Sequence, residues 1–233
     1  MRLLFIRHGE PDYEKDTLTE LGNKQAEACA KRLENEGISE IYASPMGRAY
    51  ETAAYTAKRL NLPITVLDYM HEIWWGGEGI PLEGHVWTLA DKMLYEDNFD
   101  FSKKDWREHP YFKTNLATEY FDKVSAKIDE FLAHQGYKHD GVRFLCETDE
   151  EKTVAIFSHG GSGAIAMSHI LGIPFPYYAC VFPYDFTSII EIDFPVEKGA
   201  YVHTRMGLFN DAYHIRGISN GLKLQQKIDN SKP

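Results

Sequence analysis

Cysteine is scarce in this chain of 233 residues: there are three, at positions 29, 146 and 180, with no Cys-x-x-Cys pair. The odd count and irregular spacing exclude a disulfide framework and predict reduced thiols, by default in the cytoplasm. Long apolar runs are missing too. Leu3 to Ile6 near the N-terminus is a run of four, too short for a signal peptide or a membrane span, so no membrane partner is expected. Basic residues are outnumbered, 25 Lys and Arg against 35 Asp and Glu, for a net charge of −10. Nucleic acid is therefore not expected as a partner, because phosphate-backbone contacts need clustered Lys and Arg. A small phosphorylated ligand remains compatible, since a local Arg pocket can be positive on an acidic protein. The chain shows no repeat and no low-complexity tract.

The patterning that is present alternates short apolar runs with amphipathic stretches. Leu3–Ile6 reads as a strand buried on both faces. Residues 19–36 follow as a helix, with Thr19 as N-cap and Ala26, Cys29, Ala30 and Leu33 on its apolar face. Ile38–Ala43 is a second strand, 46–60 a second helix and Ile64–Leu67 a third strand. Such alternation implies a mostly parallel sheet with helices on both faces. The pattern breaks at Gly76-Gly77. Residues 76–150 are expected to form a helical lid insertion over one end of the sheet. Its helices are marked by Val86, Leu89, Ala90, Met93 and Leu94, and by Leu116, Tyr120, Val124, Ile128, Phe131 and Leu132. The sheet resumes at Thr153–Phe157, followed by a helix over 162–171, a strand over Thr187–Ile192 and an edge strand over Ala200–His203. The whole chain reads as one domain, with a polar tail over 217–233.

Two strand ends carry the same device, Arg7-His8-Gly9 and Ser158-His159-Gly160. In open α/β sheets, ligand sites lie beyond the carboxyl ends of the strands, so the two histidines can converge. Arg48 at a strand-to-helix junction and Glu72 after the third strand complete a set of two Arg, two His and one Glu. That set suits phosphoryl transfer. Arg offers a fixed fork of donors for phosphate oxygens, and neutral imidazole is a competent nucleophile near pH 7. A carboxyl of raised pKa can protonate the leaving group. Placed cations stabilise the transition-state charge, so no metal or other cofactor is expected.

Five linked motifs carry a resemblance to a known family: Ile6-Arg7-His8-Gly9-Glu10; Leu18-Thr19-Glu20-Leu21-Gly22; Tyr42-Ala43-Ser44-Pro45 with Arg48 and Thr52; Glu72 four residues before Gly76; and Phe157-Ser158-His159-Gly160-Gly161. In order and spacing the chain resembles the histidine phosphatase superfamily, also called the phosphoglycerate mutase-like family. The resemblance covers about residues 1–76 and 153–193. It implies a three-layer α/β/α sandwich, mostly parallel, with one antiparallel edge strand. It implies His8 as the phosphorylated nucleophile, Arg7, Arg48 and His159 as clamps on the phosphoryl oxygens, and Glu72 as proton donor and later base. Gly160 and Glu10 join the expected substrate contacts. One departure stands out: after Glu10 the chain runs Pro11 to Thr17 straight into Leu18, shorter than in the family's mutases and broad-specificity phosphatases and without the Asn that usually touches phosphate in them. This favours a phosphomonoester hydrolase acting on a small phosphorylated metabolite over a mutase-type phosphotransferase. A non-catalytic phosphoester-binding protein is the reading from another class.

Bland readings compete at several positions. Arg48 could be a salt-bridged surface residue, and Glu72 one loop carboxylate among Glu78 and Glu83. Trp74 and Trp75 suit either a pocket mouth or ordinary packing. The remaining histidines show no zinc spacing, and His169 reads as structural. Gly161-Ser162-Gly163-Ala164 hints at a dinucleotide fold, but no acidic residue stands at a strand end about twenty positions on. A homodimer is open, though no surface patch marks an interface.

Overall fold

In the computed structural model residues 1–218 are described; most of the expected polar tail, from 219 on, lies outside them. The strands are β1 (Arg2–Arg7), β2 (Pro11–Asp12), β3 (Thr17–Leu18), β4 (Ile38–Ala43), β5 (Ile64–Val66), β6 (Tyr137–Asp140), β7 (Arg143–Cys146), β8 (Thr153–Ser158), β9 (Ile189–Asp193), β10 (Tyr201–Val202) and β11 (Arg205–Asp211). The α-helices are α1 (Glu20–Leu33), α2 (Gly47–Leu60), α3 (Val86–Tyr95), α4 (Leu116–His134), α5 (Gly160–Leu171) and α6 (Phe175–Val181).

The main sheet has the order β11-β9-β1-β8-β4-β5. The strands β1, β8, β4 and β5 run parallel, and β9 is antiparallel to both of its neighbours. The antiparallel strand is therefore not the edge strand that the resemblance implied. An unexpected strand, β11, lies outside it, and its broken register with β9 suits an edge. Side chains of β1 alternate between layers, as the two-residue period of a strand requires. Leu4 and Ile6 pack with Cys29 and Leu33 of α1 and Ala53 and Ala57 of α2. Leu3 and Phe5 face the other way, into a core shared with α3, α4, α5 and α6. This is the expected three-layer sandwich.

Local signals explain the helix bounds. Thr19 Oγ1 accepts the Gly22 N–H at 3.0 Å, the predicted N-cap. The second helix ends at Asn61 and α5 at Gly172, both left-handed. The helix α5 begins two residues before expectation, because His159 is its N-cap and its carbonyl accepts the Gly163 N–H.

Residues 76–150 depart most from expectation. They are not wholly helical: β6 and β7 form a hairpin around Gly141-Val142. With β10 the hairpin makes a separate three-stranded sheet, so the expected edge strand near Ala200–His203 belongs there rather than to the main sheet. In α4 the apolar face turns by one residue in the first turn. Ala117 and Phe121 are buried, while Leu116 is 43% exposed. Nor does this segment only cover one end of the sheet. Val124, Ile128 and Phe144 share one continuous core with Leu3, Phe5 and Val154.

Candidate active site

Register brings the motifs together. Arg7 of β1 pairs with Ser158 of β8, and the His8 N–H donates to the Ser158 carbonyl at 3.0 Å. The two histidines that follow thus leave adjacent parallel strands at the same level, with ring centroids 5.1 Å apart. The β4 end lies beside β8, where the Ser44 N–H bonds the Phe157 carbonyl. Ser44 Oγ then stands 2.8 Å from His159 Nε2.

His8 is 1% exposed. Its Nδ1 lies 2.7 Å from the Gly9 carbonyl oxygen, which can only accept. The ring proton is therefore assigned to Nδ1, leaving the Nε2 lone pair uncommitted. Burial, and then the adjacent Arg7 and Arg48, hold the imidazole well below its ordinary pKa, so it is neutral at pH 7. His159 is lowered in the same direction by burial and by His8. The Ser44 hydroxyl accepts the Met46 N–H at 3.2 Å. The hydroxyl keeps a second lone pair as well as its own proton, so either His159 tautomer, with the proton on Nε2 or on Nδ1, satisfies this contact. That Nδ1, Arg7 Nε and Arg48 Nε are buried without a partner among the described residues. Buried donors left unpaired cost free energy unless an acceptor satisfies them, and two guanidinium donors beside the His8 imidazole suit an anion.

Glu72 sits at the N-terminus of α5. Its Oε1 accepts the N–H groups of Ile73 at 3.0 Å, Gly161 at 3.0 Å and Ser162 at 3.3 Å. Burial still outweighs these contacts and the two arginines, and the carboxyl pKa is raised. The glycines of the suspected dinucleotide motif are explained here. A Cβ at Gly161 would meet Glu72 Oε1 at 2.6 Å, and one at Gly163 would meet the Tyr184 hydroxyl at 2.3 Å.

The expected residues are placed as follows. Arg7, His8, Arg48, Glu72 and His159 are brought to one place: the two histidine rings lie 5.1 Å apart, Glu72 accepts the first N–H groups of the helix that His159 caps, and both arginines bear on the pKa of His8, Glu72 and His159. An added Cβ on Gly160 would lie 3.7 Å from the Arg7 guanidinium, so this glycine borders the same space. Glu10 is directed to α1 instead: its carboxylate accepts the Thr19 hydroxyl at 3.2 Å. Arg48 does have the salt bridge that a surface role would predict, to Asp16 at 2.5 Å, yet its side chain is 5% exposed. Asp16 also accepts the Gly47 N–H at 2.7 Å. Trp74 is 54% exposed beside His71 and Tyr120, whereas Trp75 packs on His85 and Trp87.

Four residues escaped the sequence reading. Tyr184 donates its hydroxyl to the His159 carbonyl at 2.8 Å and accepts Arg7 Nη1 on its own carbonyl at 2.6 Å. The Phe186 ring lies 4.5 Å from Arg7 Cζ and 5.5 Å from the His8 ring. Ser44 and Asp16 orient His159 and Arg48. Ser44 belongs to the Tyr42-Ala43-Ser44-Pro45 motif without a role assigned to it there, and nothing but nearness to motif residues could have singled out Asp16. The Tyr184 region reads only as an aromatic loop.

Known proteins share the sequence pattern and the fold. A family model described as the histidine phosphatase superfamily (branch 1) matches residues 3–206. Phosphoserine phosphatase 1 of Hydrogenobacter thermophilus is 27% identical over 150 residues, 60% of this chain and 66% of that protein. A probable phosphatase of Schizosaccharomyces pombe is 27% identical over 237 residues, 95% of this chain and 98% of that one. A 2,3-bisphosphoglycerate-dependent phosphoglycerate mutase of Thermoplasma acidophilum is 34% identical over 171 residues, 66% of this chain and 80% of that one. The fold matches a phosphoserine phosphatase from Entamoeba histolytica, solved with 3-phosphoglyceric acid, at a TM-score of 0.61 and 24% identity; 92% of this chain and 98% of that chain are covered.

Proposed function

We propose, from the premise that this chain belongs to the histidine phosphatase superfamily (branch 1), that it hydrolyses a small phosphomonoester through a phosphohistidine on His8. The observation that carries the reading is the neutral, buried His8, its Nδ1 proton on the Gly9 carbonyl and its other nitrogen uncommitted beside unpaired Arg donors and the His159 ring. Nε2 of His8 attacks phosphorus, and the bond to the leaving oxygen breaks. Arg7, Arg48 and His159 hold the equatorial oxygens, where transition-state charge accumulates. Glu72, whose pKa burial raises, gives its proton to the leaving alkoxide. The same carboxylate then takes a proton from water as the water attacks phospho-His8, releasing phosphate and restoring both residues. No step requires a metal.

Relatives named for phosphoserine and phosphoglycerate support a small phosphorylated metabolite as substrate. The reduced-thiol reading supports a cytoplasmic location, and no single helix among the described residues is long and apolar enough to cross a membrane. One observation favours a second reading, a mutase: the phosphoglycerate mutase relative at 34% identity. Against it stands the short loop after Glu10, where Asp16 lies on Arg48.

The test is phosphate release from a panel of phosphomonoesters in excess EDTA, wild type beside His8→Ala. Release by wild type alone supports the hydrolase. Conversion of 3- to 2-phosphoglycerate without release supports the mutase. Equal activity in both proteins would remove His8 from the reaction.

A further inference from the structure

A second cluster of chemistry-bearing side chains lies at the far end of α5. Asp129 of α4, His139 of β6 and His169 of α5 each offer one ligand atom, and these atoms lie within 4.8 Å of one another. His139 Nδ1 is 2.7 Å from Asp129 Oδ1, His169 Nε2 is 2.8 Å from the same oxygen, and the two nitrogens are 3.2 Å apart. The rings stand nearly perpendicular, at 85°. His139 is fixed by stacking on Phe144, with ring centroids 4.5 Å apart and planes within 8°.

The nitrogen pair is unusual for a purely hydrogen-bonded cluster. A carboxylate oxygen can accept from both rings, but two ring nitrogens this close that both carry protons repel each other. The triangle matches a different occupant better. Ligand atoms about 2.0–2.1 Å from a tetrahedral zinc ion lie roughly 3.3 Å apart, a small outward relaxation from the distances seen. The donor set, two imidazoles and one carboxylate with an open side, is that of three-ligand zinc sites. The open side exists: all three residues line a surface groove of about 630 Å³ together with Trp106, Arg107 and Phe121.

We propose that Asp129, His139 and His169 form a site for a divalent transition-metal ion of the zinc class, its fourth position taken by water from the groove. Each imidazole gives a lone pair to the ion, and any proton held between the rings passes to the buffer on binding. The site is separate from the phosphoryl chemistry. His169 is nine residues along α5 from Gly160, about 13 Å of helix rise. What the ion ties together is the segment over 76–150, through α4 and β6, and the helix that bears the His159 motif. In sequence the three residues lie ten and thirty positions apart on separate elements, so no spacing rule reveals them.

Metal-stripped protein, titrated with Zn²⁺ by calorimetry and with Co²⁺ by visible absorption, tests the site. The proposal expects one ion per chain in wild type and in His8→Ala, and a Co²⁺ spectrum with a histidine nitrogen set. It expects binding weaker by well over tenfold in His139→Gln and in His169→Gln, since even indirect supports of metal ligands are worth tenfold or more. Zn²⁺ should raise the melting temperature of wild type and leave that of both Gln variants unchanged. Retained phosphoester turnover shows that the variants fold; if they do not, Asp129→Asn, nearly identical in shape, takes their place with the same expectation. Binding that is unchanged in the variants, that is lost in His8→Ala, or that does not saturate at one ion in wild type would overturn the assignment.

Discussion

At the scale of the residue, environment rather than residue type makes the chemistry. His8 and His159 are neutral because burial removes the water that would solvate imidazolium. The Glu72 pKa is raised, the direction a proton donor needs, because burial outweighs its backbone N–H contacts. Replacing His8 by Ala should lower phosphate release by at least about 10³-fold, since the proposed nucleophile is removed; a steady-state assay checks this. Glu72→Gln should harm alkyl phosphates far more than p-nitrophenyl phosphate, whose leaving group needs no proton. For the wild type, kcat with an alkyl phosphate should fall as pH rises through the raised Glu72 pKa, because the proton donor is lost, and the Gln variant should lack that limb. The same shift has a stability sign. A carboxyl whose folded pKa is raised binds its proton more tightly in the native state, so ionising it at higher pH costs stability. Glu72→Gln should therefore melt higher than wild type at pH 8, with a smaller gain at pH 5, as followed by circular dichroism.

At the scale of the element, the N-terminus of α5 is the organising piece. His159 caps it, Glu72 accepts its first N–H groups, and Tyr184 ties its cap to Arg7. Packing there is close enough to demand glycine, as the 2.3 Å approach of Tyr184 Oη to a Cβ on Gly163 shows. Gly163→Ala should cost about 1–3 kcal/mol by overpacking and should lower kcat, because the displaced Tyr184 hydroxyl lets go of the His159 carbonyl. Removing the offending atom gives the check. Tyr184→Phe in the Gly163→Ala background should recover part of the stability, seen as a positive coupling in a double-mutant cycle. Additive losses would show that the two residues do not meet.

At the scale of the molecule, one core spans the sheet face, α3–α6 and the hairpin of β6 and β7. A lid that was merely laid over the sheet would unfold by itself. A shared core predicts one cooperative transition. Ile128→Ala, at a position 0% exposed in α4, should cost about 2–5 kcal/mol. The loss should appear as a lower midpoint of a single urea transition, identical by far-UV and near-UV circular dichroism. A separate early transition would mean that the segment folds independently.

Much of this protein was determined locally, and so was legible in the sequence. The strand ends Arg7-His8-Gly9 and Ser158-His159-Gly160, the Thr19 cap and the three-layer α/β class follow from apolar period, capping chemistry and chain order, which act over a few residues. What only the tertiary structure decided depends on which distant segments meet. The hairpin of β6 and β7 carries no strict alternation, and it becomes sheet because β10, more than fifty residues on, supplies the third strand. The place of β9 inside the sheet rather than at its edge was set by β11. Tyr184, Phe186, Ser44 and Asp16 reach the site from loops whose composition is ordinary. Asp129, His139 and His169 became neighbours only when α4, the hairpin and α5 packed together. Hydrogen-bond period and side-chain pattern are properties of a segment; desolvation, pKa and the meeting of three ligand atoms are properties of the space between segments, which no segment carries alone.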